Sequence, residues 1–377
     1  MILFFVTTLA IATLFYTYLG YAIVIGVLSR LFPLRMSSDE SWTPLVSTLI
    51  PVYNAASYLP AKLDSLLALD WPADKLELLV YSDGATDETE AIAERYAAKD
   101  ARVRLIRGGE RAGKPTAVNR MLTEARGEVL LMTDIRQPLE PGCLRALVRR
   151  LAPPEVACVS GNLTLPTTAG AGVYWRYENW LREKEAGFRS MLGVTGPIYV
   201  VRKADLPGIP RDTILDDMWI PMRLRLAGRR LLFAKDAIAH DQAFDDEREF
   251  GRKVRTLAGQ YQLLGLLPGL LSPISNPSWF EFWSHKIMRL VCPWALLTLF
   301  FVLPYGWWSW SRPHCTCAMD SALYGLAAIA QLGFYALALA GARVGKLGAV
   351  ARTFIVLNVA ALVGLWRQLR GAQRITW

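Results

Sequence analysis

An α/β domain with a parallel sheet, flanked by membrane-spanning helices, is the fold class that three observations predict. Apolar strand-like runs alternate with stretches of helical periodicity from Leu45 to Met132. The turns closing three of those runs carry Asn54, Asp83 and Asp134, and long apolar stretches with few charges stand near both ends of the chain. Alternating strands and helices build parallel sheets, and in such open sheets ligands bind outside the carboxyl ends of the strands.

The elements follow in order. Ile2 to Ser29 contains no charged residue, which is enough for a helix across a ~30 Å hydrocarbon core, and the stretch ends in Arg30 and Arg35. A cleaved signal peptide would have a basic start and a shorter apolar core, so a membrane anchor over residues 1–33 is expected. Leu45–Ile50 is a buried-strand run, Ala56–Leu69 has apolar residues at helical spacing, and Leu76–Tyr81 is the next strand. Asp87–Lys99 reads as a helix with Thr86 or Asp87 and Glu90 in a capping arrangement, followed by a short strand at Val103–Ile106. Lys114–Ala125 is helical and Val129–Met132 is strand. Tyr174–Glu185 suits a helix, Gly193–Tyr199 a glycine-bounded loop entering a strand, and His240 ends another strand.

Three further apolar stretches lie at Ile287–Trp308, Ala322–Ala342 and Leu347–Leu365. Gln260–Pro273 is apolar but interrupted by Gly265, Pro268 and Gly269, and reads as interfacial or re-entrant. Ser278–Arg289 places Trp279, Phe280, Phe282 and Trp283 ahead of Lys286 and Arg289, as in an amphipathic helix lying on a membrane. The expected organisation is an anchor (1–33), a central domain (43–259), interfacial helices (260–289) and carboxy-terminal spans (290–377). Arg30, Arg35, Arg248, Arg252, Lys253, Arg255 and Lys286 border the central domain and mark it as cytoplasmic. Three carboxy-terminal spans would leave Arg367, Arg370 and Arg374 outside, against the same rule.

At 377 residues and 53% hydrophobic, the chain is too apolar for one ordinary soluble domain. Its net charge of +9 suits an anionic leaflet, and without a dense basic run carrying interleaved aromatics it excludes nucleic acid as a partner. Cys143 and Cys158 read as small apolar fillers. Cys315 and Cys317 have a spacing poor for mutual bonding and belong to no zinc array. No Gly-x-Gly-x-x-Gly follows the first strand, which argues against a dinucleotide oxidoreductase.

Five motifs stand in order: Val46-Ser-Thr-Leu-Ile-Pro-Val-Tyr-Asn54, Tyr81-Ser-Asp-Gly-Ala-Thr-Asp87, Gly113-Lys114, Met132-Thr-Asp134 and Asp216-Asp217. Together they resemble a family 2 glycosyltransferase, over roughly Val46 to Gly259. The resemblance implies a GT-A (Rossmann-like) nucleotide-sugar domain and an inverting reaction. It places Pro51, Tyr53, Asn54, Asp83, Lys114, Asp134, Arg136, Arg252 and Arg255 around the nucleotide-sugar, and makes Asp217 the general base. Gly196, Asp216 and Trp180 fall on the acceptor side. A divalent cation, Mg2+ or Mn2+, would be held at Asp134, with His240 as a second candidate.

Each assignment has a plainer reading. Asp83-Gly84 is also a common turn pair, and Lys114 at a helix start suits an anion but also solvent. The pair Asp216-Asp217 could merely cap its helix, with Asp216 as the capping partner. Arg255 could bind lipid headgroups instead of diphosphate, and a lone His240 could be structural. The first turn has Asn54-Ala55 where many relatives have Asn-Glu. Asp134-Ile-Arg136-Gln137 replaces the family's Asp-x-Asp, so either Asp134 holds a metal with water and diphosphate, or Arg136 meets phosphate charge itself. Thr256 stands where processive members have a stacking tryptophan.

The resemblance thus implies a multi-pass enzyme of a bacterial inner membrane with its catalytic domain cytoplasmic. It would pass a sugar from a nucleotide diphosphate, of the UDP type, to a lipid-linked or growing saccharide, with membrane lipids as further partners. A processive polysaccharide synthase and a non-catalytic nucleotide-sugar-binding scaffold are the alternatives.

Overall fold

A computed structural model describes residues 1–164, 171–241, 246–311 and 318–373. Cys315, Cys317 and Arg374 lie outside the described residues. Helix α1 (Ile2–Phe15) and α2 (Tyr21–Leu31) run on through a π-helical turn at Tyr16–Gly20 as one apolar helical stretch. The first half of the central domain alternates β1 (Val46–Val52), α3 (Leu59–Leu67), β2 (Leu76–Ser82), α4 (Thr89–Lys99), β3 (Val103–Arg107), α5 (Lys114–Glu124) and β4 (Val129–Met132). The second half contributes α6 (Cys143–Leu151), β5 (Val156–Thr164), α7 (Ala171–Phe188), β6 (Tyr199–Arg202), α8 (Asp216–Leu226), β7 (Arg230–His240) and α9 (Asp246–Leu266).

The strands form one sheet in the order β3-β2-β1-β4-β6-β5-β7. β1 to β4 are parallel, β6 runs antiparallel to β4 and β5, and β5 and β7 are parallel. All of β1 is buried, because its alternate side chains feed different cores. Ile50 and Val52 join the apolar cluster shared with α3 and α6, whereas Leu49 joins the one shared with α5 and α8. Pro51 has no N–H for a ladder, yet sits in this central strand. It lies beyond the last β1–β4 pair, Leu49 with Met132, at the strand end where the sheet opens.

After a 3-10 turn at Pro268–Leu271 come α10 (Trp279–Phe282), a π-helical turn at Trp283–Ile287 and α11 (Met288–Trp310), then α12 (Ala318–Ala340) and α13 (Gly345–Leu369). Among the described residues three helical stretches are long and apolar enough to cross a membrane: Ile2–Leu31, Trp279–Ser309 and Ser321–Leu369. Several expectations change here. The boundary after Gly259 falls inside α9, which runs on to Leu266. The separate surface helix at Ser278–Arg289 is instead the start of the continuous Trp279–Ser309 stretch, since nothing between Phe282 and Met288 breaks helical backbone.

The last helix also differs from a free span. α13 packs along α9 of the central domain, so closely that a Cβ on Gly364 would stand 2.8 Å from the Ala258 nitrogen. Asn358 donates to the Tyr18 hydroxyl at 3.2 Å. α7 is a second bridge to the apolar helices. Tyr177 donates to the Tyr18 carbonyl (2.8 Å) and Tyr21 to Glu185 (2.8 Å), while His285 Nδ1 lies 2.6 Å from the same Glu185.

Candidate active site

The carboxyl ends of β1, β2 and β4 open onto one cleft. Asn54 adopts the left-handed region (φ 46°), which asparagine tolerates, and its Oδ1 accepts the Thr86 N–H at 2.8 Å, joining the β1 and β2 turns. Arg111 stacks over the Tyr53 ring, 3.8 Å from its centroid. Asp83 is fully buried, and its two oxygens accept the N–H groups of Ala112 (2.9 Å) and Gly113 (2.8 Å). Its carboxylate therefore holds the turn before α5, at the mouth of the cleft where the sequence places the nucleotide. That turn needs φ 89° at Gly113, and it presents Lys114 as the first residue of α5.

Lys114 Nζ bridges Asp134 Oδ1 (2.9 Å) and Asp216 Oδ2 (3.0 Å). Burial works against its ammonium, but the two carboxylates outweigh burial and hold its pKa above the ordinary lysine value. Asp216 does not cap α8: it is the first helical residue, buried, and held by Lys114. Its neighbour Asp217 is half-buried and forms no ion pair among the described residues, and burial followed by the like charge of Asp216 pushes its carboxyl up to about 6. Gly196 closely approaches Asp217 and Asp134. A Cβ there would lie 3.2 Å from Asp217 Oδ2 and 3.5 Å from Asp134 Oδ2.

α9 grips the segment that leads into α8. Arg255 donates to the Ile214 carbonyl (3.2 Å), and Gln262 both accepts the Ile214 N–H (2.9 Å) and donates to the Asp212 carbonyl (2.7 Å). Gly259 lets the helix approach: a Cβ would stand 2.4 Å from Leu215 Cγ. Arg182 of α7 donates to Thr195 Oγ1 (2.8 Å), and the Thr195 N–H donates to Ser160 Oγ (2.8 Å), fixing the loop that carries Gly196.

In the turn after β4, Arg136 donates to Asp241 at 2.6 Å, with Asp241 almost fully enclosed. The charges of Asp241, Arg136 and Asp134 all act on Arg252. Two expected residues lie elsewhere. Trp180 rests its ring against Gly26 of α2, because its side of α7 packs on the membrane helix. His240 bonds Thr164 (2.9 Å) and Glu140 (2.9 Å) and joins no metal-binding group among the described residues.

Among the described residues no cluster of three or more histidine, cysteine or acidic side chains could hold a metal by itself. Mg2+ commonly uses one or two carboxylates plus substrate phosphates, and Asp134 fits that pattern. Its Oδ1 is engaged by Lys114 while Oδ2 faces Gly196. The assembled groups are a raised carboxyl at the head of a helix beside cations and a second carboxylate, a set suited to general-base chemistry next to an anionic leaving group.

Lys62, Arg182, Asp241 and Gln262 were not singled out from sequence. Lys62 left a signal, a charged residue on the apolar face set by Leu59, Leu63 and Leu66. The others had none, since their partners are remote in the chain.

Known proteins resemble this chain in sequence and in fold. Residues 47–201 match the family model described as Glycosyl transferase family 2. Glycosyltransferase AglE of Haloferax volcanii is 26% identical over 232 residues, 59% of this chain and 75% of that protein. Glycosyltransferase AglD of the same organism is 34% identical over 128 residues, 32% of this chain and 20% of that protein. A beta-monoglucosyldiacylglycerol synthase of Synechocystis is 25% identical over 208 residues, 52% of this chain and 43% of that protein. The chain thus spans less than half the length of the last two. A mannosyltransferase from Pyrobaculum calidifontis, solved with GDP-Man and Mn2+, shares the fold over 97% of this chain and 99% of its own, at TM-score 0.79 and 23% identity.

Proposed function

We propose that this chain, whose central domain matches glycosyl transferase family 2, is a membrane-bound inverting glycosyltransferase. It transfers a sugar from a nucleoside diphosphate sugar, of the UDP type, to a lipid-linked or growing saccharide at the cytoplasmic face. The observation that carries this reading is Asp217: a carboxyl raised to about 6 beside Gly196 and across from Asp134. The name of the Synechocystis relative supports a lipid acceptor, and the Asp134-Ile-Arg136-Gln137 turn supports placing the chain in a subgroup without the second metal-binding carboxylate.

In the reaction Asp217 takes the proton of the acceptor hydroxyl as its oxygen attacks the anomeric carbon. The bond to the diphosphate breaks on the opposite face, inverting the configuration, and the electron pair leaves with the nucleotide. Lys114 and Arg252 supply positive charge where the leaving diphosphate develops its own. A divalent cation at Asp134 would add Lewis-acid stabilisation of that diphosphate. The test is a screen of UDP-, GDP- and ADP-sugars for turnover and thermal stabilisation in detergent, because a ligand of the native state raises the unfolding midpoint. A chain that neither turns over nor is stabilised by any of them is not this enzyme.

A further inference from the structure

Lys62 is the charged group that the proposed reaction leaves unused. It lies on the inner face of α3, 1% exposed, and its Nζ donates to Thr133 Oγ1 (2.6 Å) and the Gln137 carbonyl (2.5 Å). The Thr133 hydroxyl donates onward to the Pro197 carbonyl at 2.8 Å. One ammonium thus ties both ends of the Thr133–Gln137 turn, and through Thr133 the loop of Gly196. Among the described residues no carboxylate forms an ion pair with it, and the carboxylate whose charge acts on it is Asp134.

Taking an ammonium out of water without a paired carboxylate is strongly unfavourable. Neutral donors would satisfy Thr133 and Gln137 equally well, so what lysine alone adds is charge. It sits on the protein side of a turn whose other side faces the cleft, where Lys114 and Asp134 meet. We propose that Lys62 is a positioning residue for the donor: its buried ammonium fixes the Thr133–Gln137 turn and, when charged, holds a positive potential beneath the donor diphosphate. The inference rests on the nucleotide-sugar reading above. Burial lowers this ammonium to about 7 while Asp134 acts in the other direction, and an arriving diphosphate would stabilise its charged form further.

The test uses the full chain in detergent with Lys62→Met, which keeps the bulk, and Lys62→Gln, which keeps hydrogen bonding without charge. Binding of UDP, GDP and ADP and of the corresponding free nucleosides is measured beside thermal unfolding. For the diphosphate that binds the parent, both variants should bind about tenfold more weakly, the scale of a charge acting over several Å inside protein. The matching nucleoside should bind both variants as it binds the parent, with unfolding midpoints at or above the parent's. Parental diphosphate affinity in Lys62→Gln, or parallel loss of nucleoside and diphosphate binding, would overturn the inference and leave Lys62 a structural pin. If Lys62→Met does not fold, Lys62→Gln decides alone. A parent that binds no nucleoside diphosphate sinks the glycosyltransferase reading and this inference together.

Discussion

Asp217 carries a pH dependence with a definite sign. Its carboxyl is raised to about 6, so the base form dominates above that value, and transfer should fall about tenfold for each pH unit below it. The stability effect runs the other way. A carboxyl raised above its unfolded value of roughly 3.9 contributes stability below that pH, and the contribution is lost as pH rises through about 6. Asp217→Asn should therefore abolish transfer, bind nucleotide within a few-fold of the parent, and be up to about 2 kcal/mol more stable at pH 8. Near-normal turnover in that variant would remove Asp217 from the role of base. Gly196→Ala sets a methyl against the Asp217 and Asp134 carboxylates, and transfer should drop at least about tenfold with little change in unfolding midpoint, as expected when reacting groups shift by fractions of an ångström. At Arg136, substitution by Asp breaks the contact with enclosed Asp241 and returns a carboxylate to the turn. Transfer by Arg136→Asp should then depend more steeply on added Mg2+ or Mn2+ than transfer by the parent, compared with and without chelator.

At the scale of elements, α9 is the part on which the site depends most. Arg255 and Gln262 hold the backbone just ahead of Asp216, and Gly259 allows the contact with Leu215. Gly259→Ala must move α9 or Leu215, an overpacking that costs about 1–3 kcal/mol. The shift would carry Asp217 with it, so kcat should fall alongside the unfolding midpoint. A variant that lost stability but kept kcat would show that α9 supports the domain without aligning the base. β1, in contrast, tolerates little at any of its positions because both its faces are core.

For the whole molecule, the long apolar helices and the catalytic domain are one packed unit. α13 lies on α9, and Asn358 reaches Tyr18, at the level where Tyr177 of α7 also meets the amino-terminal helix. A helix so bound to the central domain keeps its end, with Arg367 and Arg370, near that domain, and on the proposed cytoplasmic placement of the domain this is the side where basic residues belong. A cysteine placed at Ala372 should be labelled from the same side as the catalytic domain, and labelling from the opposite side would restore a third carboxy-terminal crossing. Removal of residues 318–377 should also lower the unfolding midpoint of the catalytic domain, because it uncovers the α9 surface against Gly364.

Local pattern was enough for the strands and helices of the first half, since burial of a parallel strand writes itself as a continuous apolar run and a helix as a 3.6-residue period. The motifs placed Asp134, Asp216 and Asp217 at element ends in the same way, because turn and helix-start chemistry is local. Which of these residues meet was beyond any local pattern. Lys114 binds Asp134 and Asp216 across 20 and 102 residues of chain, Asp83 turns inward to hold Gly113, and Trp180 faces a membrane helix. Side-chain partners are selected by the closing of the sheet and the docking of α7, α9 and α13. Sequence alone therefore determined the element types and the chemistry available, and only the tertiary packing decided which charges are buried together and what pKa each one has.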